Sequence, residues 1–177
     1  NAKYNDDIYV TGNIGDSFIG LQVLTNKIKV HKNIKDYFVK KYYQPDIQIN
    51  FTKKLLKYAN TSIDISDGLV ADLDKMINKQ NLSYILNISD IPISKHLVKL
   101  IKNKKLIKSH IISNGDDYQV LFTASPTKNR IILNISKSLG IKITKIGKIN
   151  SRSKKSFIID LNGQKIAIKN KGYTHQF

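Results

Sequence analysis

The spacing of apolar positions changes period repeatedly along the chain, and each change marks an element. In "DDIYVTGNIG", Ile8 and Val10 alternate with Asp7 and Tyr9 before Gly12 and Gly15, which predicts a strand running into a turn. From "DSFIGLQVLTNKI" on, Phe18, Leu21, Val23, Leu24 and Ile28 fall near helical spacing, with Asp16 as the predicted N-cap. "IKDYFVKKYYQPD" reads as a second helix ended by Pro45, and "INFTKKLLKYAN" as a third, with Phe51, Leu55, Leu56 and Tyr58 on its apolar side. "TSIDIS" is a short strand, and "DGLVADLDKMINKQN" a helix on Leu69, Leu73, Met76 and Ile77. Then come a strand, "LSYILNIS", a basic amphipathic helix, "SKHLVKLIKNKK", and another strand, "DYQVLFTAS". "PTKNRIILNISKSLG" is a helix with Pro126 near its start and Gly140 as C-cap. "IKITKIGKI" alternates as a strand, and "KSFIIDLNGQKIAI" is a hairpin turning on Asn162-Gly163. The tail "KNKGYTHQF" has no regular pattern.

No repeat, low-complexity linker or domain break interrupts this series. Clustered helices with strands and a late hairpin favour an α+β domain, a mixed sheet covered by helices. The length of 177 residues suits one such domain, and a hydrophobic fraction of 41% can build a core. No apolar run approaches the roughly 20 residues of a membrane span. No signal-peptide pattern opens the chain. Asn1 and Ala2 are compatible with a tag remnant and carry no functional weight. With no Cys, disulfides, zinc-thiolate sites and cysteine nucleophiles are excluded, and a cytoplasmic location is the expectation.

The formal net charge of +17 raises the question of nucleic acid. Of 30 basic residues, however, only Arg130 and Arg152 are arginine, the side chain suited to bidentate phosphate and base recognition. Most of the lysine therefore reads as solvated surface, with a general attraction for phosphorylated small molecules. Direct nucleic-acid binding is disfavoured.

The acids are distributed differently. All 13 are aspartate, and six of them lie in 64–74 and 116–117. In "SIDISDGL" the chain leaves a strand and enters a helix. Asp64 faces away from Ile63 and Ile65, which point to the core. Ser66 and Asp67 stand at the helix entrance, and Gly68 allows close approach. A helix N-terminus offers N–H groups to phosphate, and carboxylates beside it suit Mg²⁺, which takes oxygen ligands. The plain alternative is that Ser66 or Asp67 is an N-cap worth roughly 1 kcal/mol. Asp72 and Asp74 are expected as solvated helix-surface acids. In "SNGDDYQV" adjacent side chains take opposite faces, so one of Asp116 and Asp117 faces the site and the other caps the turn. His31, His96 and His110 read as surface residues. "TGNIG" is too short for a dinucleotide fingerprint.

"DDIYVTGNIGDSFIGL", "SIDISDGLVADL", "SNGDDYQVLFT", "ITKIGKI" and "KGYTHQF" together resemble, in order, the C-terminal half of bacterial thiamine-monophosphate kinase. That family is related to aminoimidazole-ribonucleotide synthetase, selenophosphate synthetase and the hydrogenase-maturation dehydratase. The resemblance covers essentially the whole chain. It implies a three-layer α/β/α domain with a mixed sheet, and transfer of the γ-phosphoryl group of ATP to thiamine monophosphate, giving thiamine diphosphate and ADP. By motif, Asp64 and Asp67 resemble Mg²⁺ ligands, Ser66 an ATP-phosphate contact, Asp116 a substrate contact, and Tyr173 an aromatic that packs on the thiamine. Thr174 stands where the family's tail carries Asp, and Gln176 is inserted before Phe177. The family also has an N-terminal domain with further Mg²⁺-binding acids, most nucleotide contacts and the dimer surface. Residues 1–177 are accordingly expected to form one C-terminal domain of a homodimeric two-domain kinase, folded but inactive alone. Two other readings remain: another enzyme of the same ATP-binding superfamily, or a non-enzymatic basic module for phosphates or nucleic acid. A hydrogenase-maturation relative would carry a cysteine in its tail, and this chain has none.

Overall fold

The computed structural model describes residues 1–78, 80–104, 106–151, 155–167 and 172. Among the described residues seven strands form one mixed sheet: β1 (Asp7–Thr11), β2 (Thr61–Asp64), β3 (Leu82–Asn87), β4 (Val120–Ala124), β5 (Ile143–Ser151), β6 (Phe157–Ile159) and β7 (Lys165–Ile166). Their order is β2-β4-β1-β5-β3-β6-β7. Among the described residues only the β3–β6 pair is parallel. The helices are α1 (Asp16–Leu24), α2 (Lys32–Tyr43), α3 (Ile49–Leu55), α4 (Leu69–Met76), α5 (Lys95–Lys104), α6 (Lys108–Ile111) and α7 (Asn129–Leu139).

Strand alternation sends side chains to two separate cores. Ile8 and Val10 of β1 join Leu121, Ile146 and the α4 residues Leu69, Leu73 and Met76 on one face. Tyr9, Phe122 and Ala124 meet Phe51 and Leu55 of α3 and Ile132 of α7 on the other. Helices thus cover both faces of the sheet, as expected. On the second face, Tyr9 stacks on Phe122 with ring centroids 5.2 Å apart. Such a pair adds about 0.5–1.5 kcal/mol beyond its area burial. A subsidiary core ties α1, α2 and α5 together through Ile19, Phe38 and Leu97, with Ile111 of α6.

Three local expectations need correction. The cap of α1 is Gly15, and Asp16 is instead its first residue, buried and accepting hydrogen bonds from the Tyr37 hydroxyl (2.8 Å) and the Ser94 hydroxyl (2.7 Å). The helix α6 was not anticipated, because a single turn is too short to show a period. The β6–β7 connection is a five-residue loop, 160–164, rather than a two-residue turn. In it Gly163 has φ 76°, and the Asp160 carboxylate accepts from the N–H groups of Asn162 and Gln164. Ala2 is buried against the main core. Among the described residues no helix is long and apolar enough to cross a membrane.

Candidate functional site

The two acidic segments lie far apart in sequence and meet because β2 pairs with β4, aligning Asp64 with Val120. The pairing continues beyond the strands. Ile65 N–H donates to the Gln119 carbonyl (2.9 Å), Tyr118 N–H to that of Ile65 (2.9 Å), and Asp116 N–H to that of Ser66 (3.0 Å). Leu69 N–H donates to the Ile112 carbonyl at 3.1 Å. The loops touch so closely that glycine is required on both sides. A Cβ at Gly115 would lie 1.8 Å from the Ser66 carbonyl oxygen, and one at Gly68 (φ 128°) would lie 2.6 Å from that of Ser113.

The contact creates an open cavity of about 580 Å³, with Ser66, Asp67, Asn114 and Asp116 on one side. Phe18, Leu21 and Gln22 of α1 form the other side. These α1 residues were read only as a helix pattern, and no sequence signal marks them as lining a site. Burial, and then the neighbouring Asp67 charge, raise the Asp116 carboxyl above its ordinary value. The Ser66 hydroxyl and the Asp116 carboxylate make no hydrogen bond among the described residues. Asp117 points the opposite way. It is buried and accepts from Gly15 N–H (2.7 Å) and Ser17 N–H (3.3 Å), so it caps α1 from across the fold. Burial outweighs those two donors and pushes its carboxyl up to about 8.

Asp72 is not a solvated acid. It is 1% exposed, and its Oδ2 accepts from the N–H groups of Ser66 (3.0 Å), Asp67 (2.9 Å) and Gly68 (3.1 Å). The amides expected to await a phosphate are therefore already held by this carboxylate. Asp72 falls three residues after Leu69 and one before Leu73, on the apolar face, and that placement is the signal that could have revealed its burial. Its Oδ1 accepts from Lys75 Nζ at 2.8 Å, and the same ammonium contacts Asp67. Asp74, half-buried, accepts from the Tyr84 hydroxyl at 2.9 Å.

Of the expected site residues, Ser66, Asp67 and Asp116 share the cavity. Asp64 is exposed at the end of β2 and does not line it. Tyr173 lies outside the described residues. Gly172, just before it, packs against Ala71 and the Asp67 carbonyl: a Cβ there would fall 2.4 and 2.7 Å from them. His31, His96 and His110 are exposed, and His96 stacks on Tyr37 at 4.1 Å. Among the described residues no three His, Cys, Asp or Glu side chains group to hold a metal ion. The cavity's donors are nonetheless all oxygen, and two of them are neighbouring carboxylates whose repulsion a cation relieves. That partial set fits a hard divalent ion whose remaining ligands come from phosphate and water.

The fold defines a class of domain also present in a HypE–HypF complex. That likeness has TM-score 0.73 at 15% identity and covers 96% of this chain and 54% of that one, so it speaks for the fold alone. The structure of AaThiL complexed with AMPPCP and TMP matches with TM-score 0.79 at 26% identity, over 99% of this chain and 52% of that chain. No family model matches. Thiamine-monophosphate kinase of Buchnera aphidicola from Schizaphis graminum is 39% identical over 178 residues, 99% of this chain and 54% of the relative. The Escherichia coli K12 enzyme is 33% identical over 98% of this chain and 53% of its own length. The chain is thus a homologue of thiamine-monophosphate kinases, and it spans about half the length of the curated relatives it matches.

Proposed function

We propose that this chain is the C-terminal domain of a thiamine-monophosphate kinase and contributes one wall of its active site. The observation that carries the reading is the convergence of Ser66, Asp67 and Asp116 on one cavity, in a chain matched along its length by these kinases. The reaction joins a phosphate oxygen of thiamine monophosphate to the γ-phosphorus of ATP and breaks the bond to the β,γ-bridging oxygen, so ADP leaves. Phosphoryl transfer of this kind needs positioning and charge neutralisation more than covalent chemistry.

Asp67, with Asp64 on the adjoining strand end, would hold Mg²⁺, which when bound neutralises phosphate charge. The Ser66 hydroxyl donates to an ATP phosphate oxygen. Its backbone N–H does not, because Asp72 holds it. Asp116 contacts the thiamine monophosphate, and Tyr173 packs on its ring system. The contact of Gly172, the residue before Tyr173, with the Asp67 turn supports this role. The other half of the kinase supplies the remaining acids, most nucleotide contacts and the surface for a homodimer in the cytoplasm.

A coupled assay with ATP, Mg²⁺ and thiamine monophosphate tests the reading, on this chain alone and with the other half supplied. Turnover only with both halves is expected. Turnover by this chain alone refutes the divided site. No turnover with both halves folded refutes the kinase assignment.

A further inference from the structure

Lys75 stands between two carboxylates of different function. Asp72 is fixed by three backbone N–H donors and needs no ammonium to stay in place. Asp67 lines the cavity beside Asp116, where the negative charge is concentrated. The Lys75 ammonium touches both Asp67 and Asp72, and its side chain is 48% exposed against 18% for Asp67. It therefore sits on a solvent-facing, four-carbon stem whose head can swing out without disturbing the core.

We propose that Lys75 is a tethered cation that occupies Asp67 when no divalent ion is present, and that metal binding at Asp67 displaces it. The inference rests on the reading of Asp67 as a metal ligand. The oxygen in contact with the ammonium cannot offer the same lone pair to a metal, so the two compete directly. The Asp72 contact gives the displaced ammonium an anchor nearby, which keeps the exchange local. Lys75 thereby sets how much divalent ion the site requires, and it keeps Asp67 and Asp116 compatible in the metal-free protein.

The test is Mn²⁺ binding to this chain with the other half of the kinase supplied, followed by the loss of the free-ion paramagnetic resonance signal. Lys75→Gln is expected to tighten Mn²⁺ binding roughly five-fold, the scale of a partly exposed ion pair. Lys75→Arg should stay near wild type. So should Lys165→Gln, which removes one positive charge from β7 at the opposite edge of the sheet. Asp67→Asn should weaken binding strongly. If Asp67→Asn weakens binding while Lys75→Gln leaves it unchanged or weaker, the displacement is overturned and the metal role of Asp67 stands. Equal tightening in Lys75→Gln and Lys165→Gln also overturns it, since general charge then explains the effect. If Asp67→Asn binds like wild type, or no protein binds Mn²⁺, the metal reading falls and the inference with it.

Discussion

Removing the Asp72 carboxylate should destabilise the domain far more than its position on a short helix suggests. In Asp72→Ala, three N–H groups lose their acceptor at once. The Gly68 N–H is buried, and an unsatisfied buried donor costs about 1–3 kcal/mol. The Ser66 and Asp67 N–H groups are only partly buried. Water can reach them, so each forfeits only the net worth of a hydrogen bond, about 0.5–1.5 kcal/mol. The ion pair with half-exposed Lys75 adds about 1 kcal/mol at most. Together these span about 2–7 kcal/mol and centre near 4–5 kcal/mol. With a urea slope of about 2 kcal/mol per molar, the unfolding midpoint should fall by about 2 M. Asp72→Asn keeps an oxygen acceptor and should lose roughly half as much. Equilibrium urea unfolding followed by circular dichroism measures both. A shift below about 0.3 M for Asp72→Ala would refute the view that this carboxylate holds the turn.

Stability should fall between about pH 4 and pH 8, because folded Asp117 keeps a proton that the unfolded chain releases. The raised carboxyls of Asp16 and Asp116 act in the same direction. Urea midpoints across that range should slope less in Asp117→Asn than in wild type, and equal slopes would count against the assignment. Gly115→Ala should force the Ser66 turn away from its loop, lowering the midpoint by about 1 M or more and weakening substrate binding in the complete kinase. An unaffected midpoint would mean that the loops separate at little cost. In the complete enzyme, Tyr173→Ala should raise the KM for thiamine monophosphate more than that for ATP; equal effects would argue against stacking on the thiamine.

Elements with a sustained period were legible in the sequence. The alternation around Ile8 and Val10 and the spacing of Leu69, Leu73 and Met76 follow directly from burial of one face. The acidic segments could be picked out because aspartate is scarce and clustered, but their meeting could not. It depends on β2 lying beside β4, a pairing between strands with three helices and a third strand between them in sequence. The parts played by individual acids were the least legible. Asp16, Asp72 and Asp117 are all buried acceptors, and each serves partners supplied by the fold. Residue type alone could not separate these acceptors from Asp67 and Asp116, which line the cavity. Asp72 is the one whose place on an apolar helix face carried a signal of burial, although it was read as solvated.

The order of strands in the sheet also bears on how the chain reaches this state. β1 precedes every other strand of this sheet in the chain, yet it is flanked by β4 and β5 and pairs with Ala124 and Lys148. Loops that long close late, because their entropy must be lost before any contact forms. During synthesis Ile8, Tyr9 and Val10 wait, apolar on both faces, until β4 and β5 have emerged. The nascent chain is most exposed to mispairing and aggregation in that interval. A ribosome stall before β5 would leave β1 with one open edge and β3 without its antiparallel neighbour.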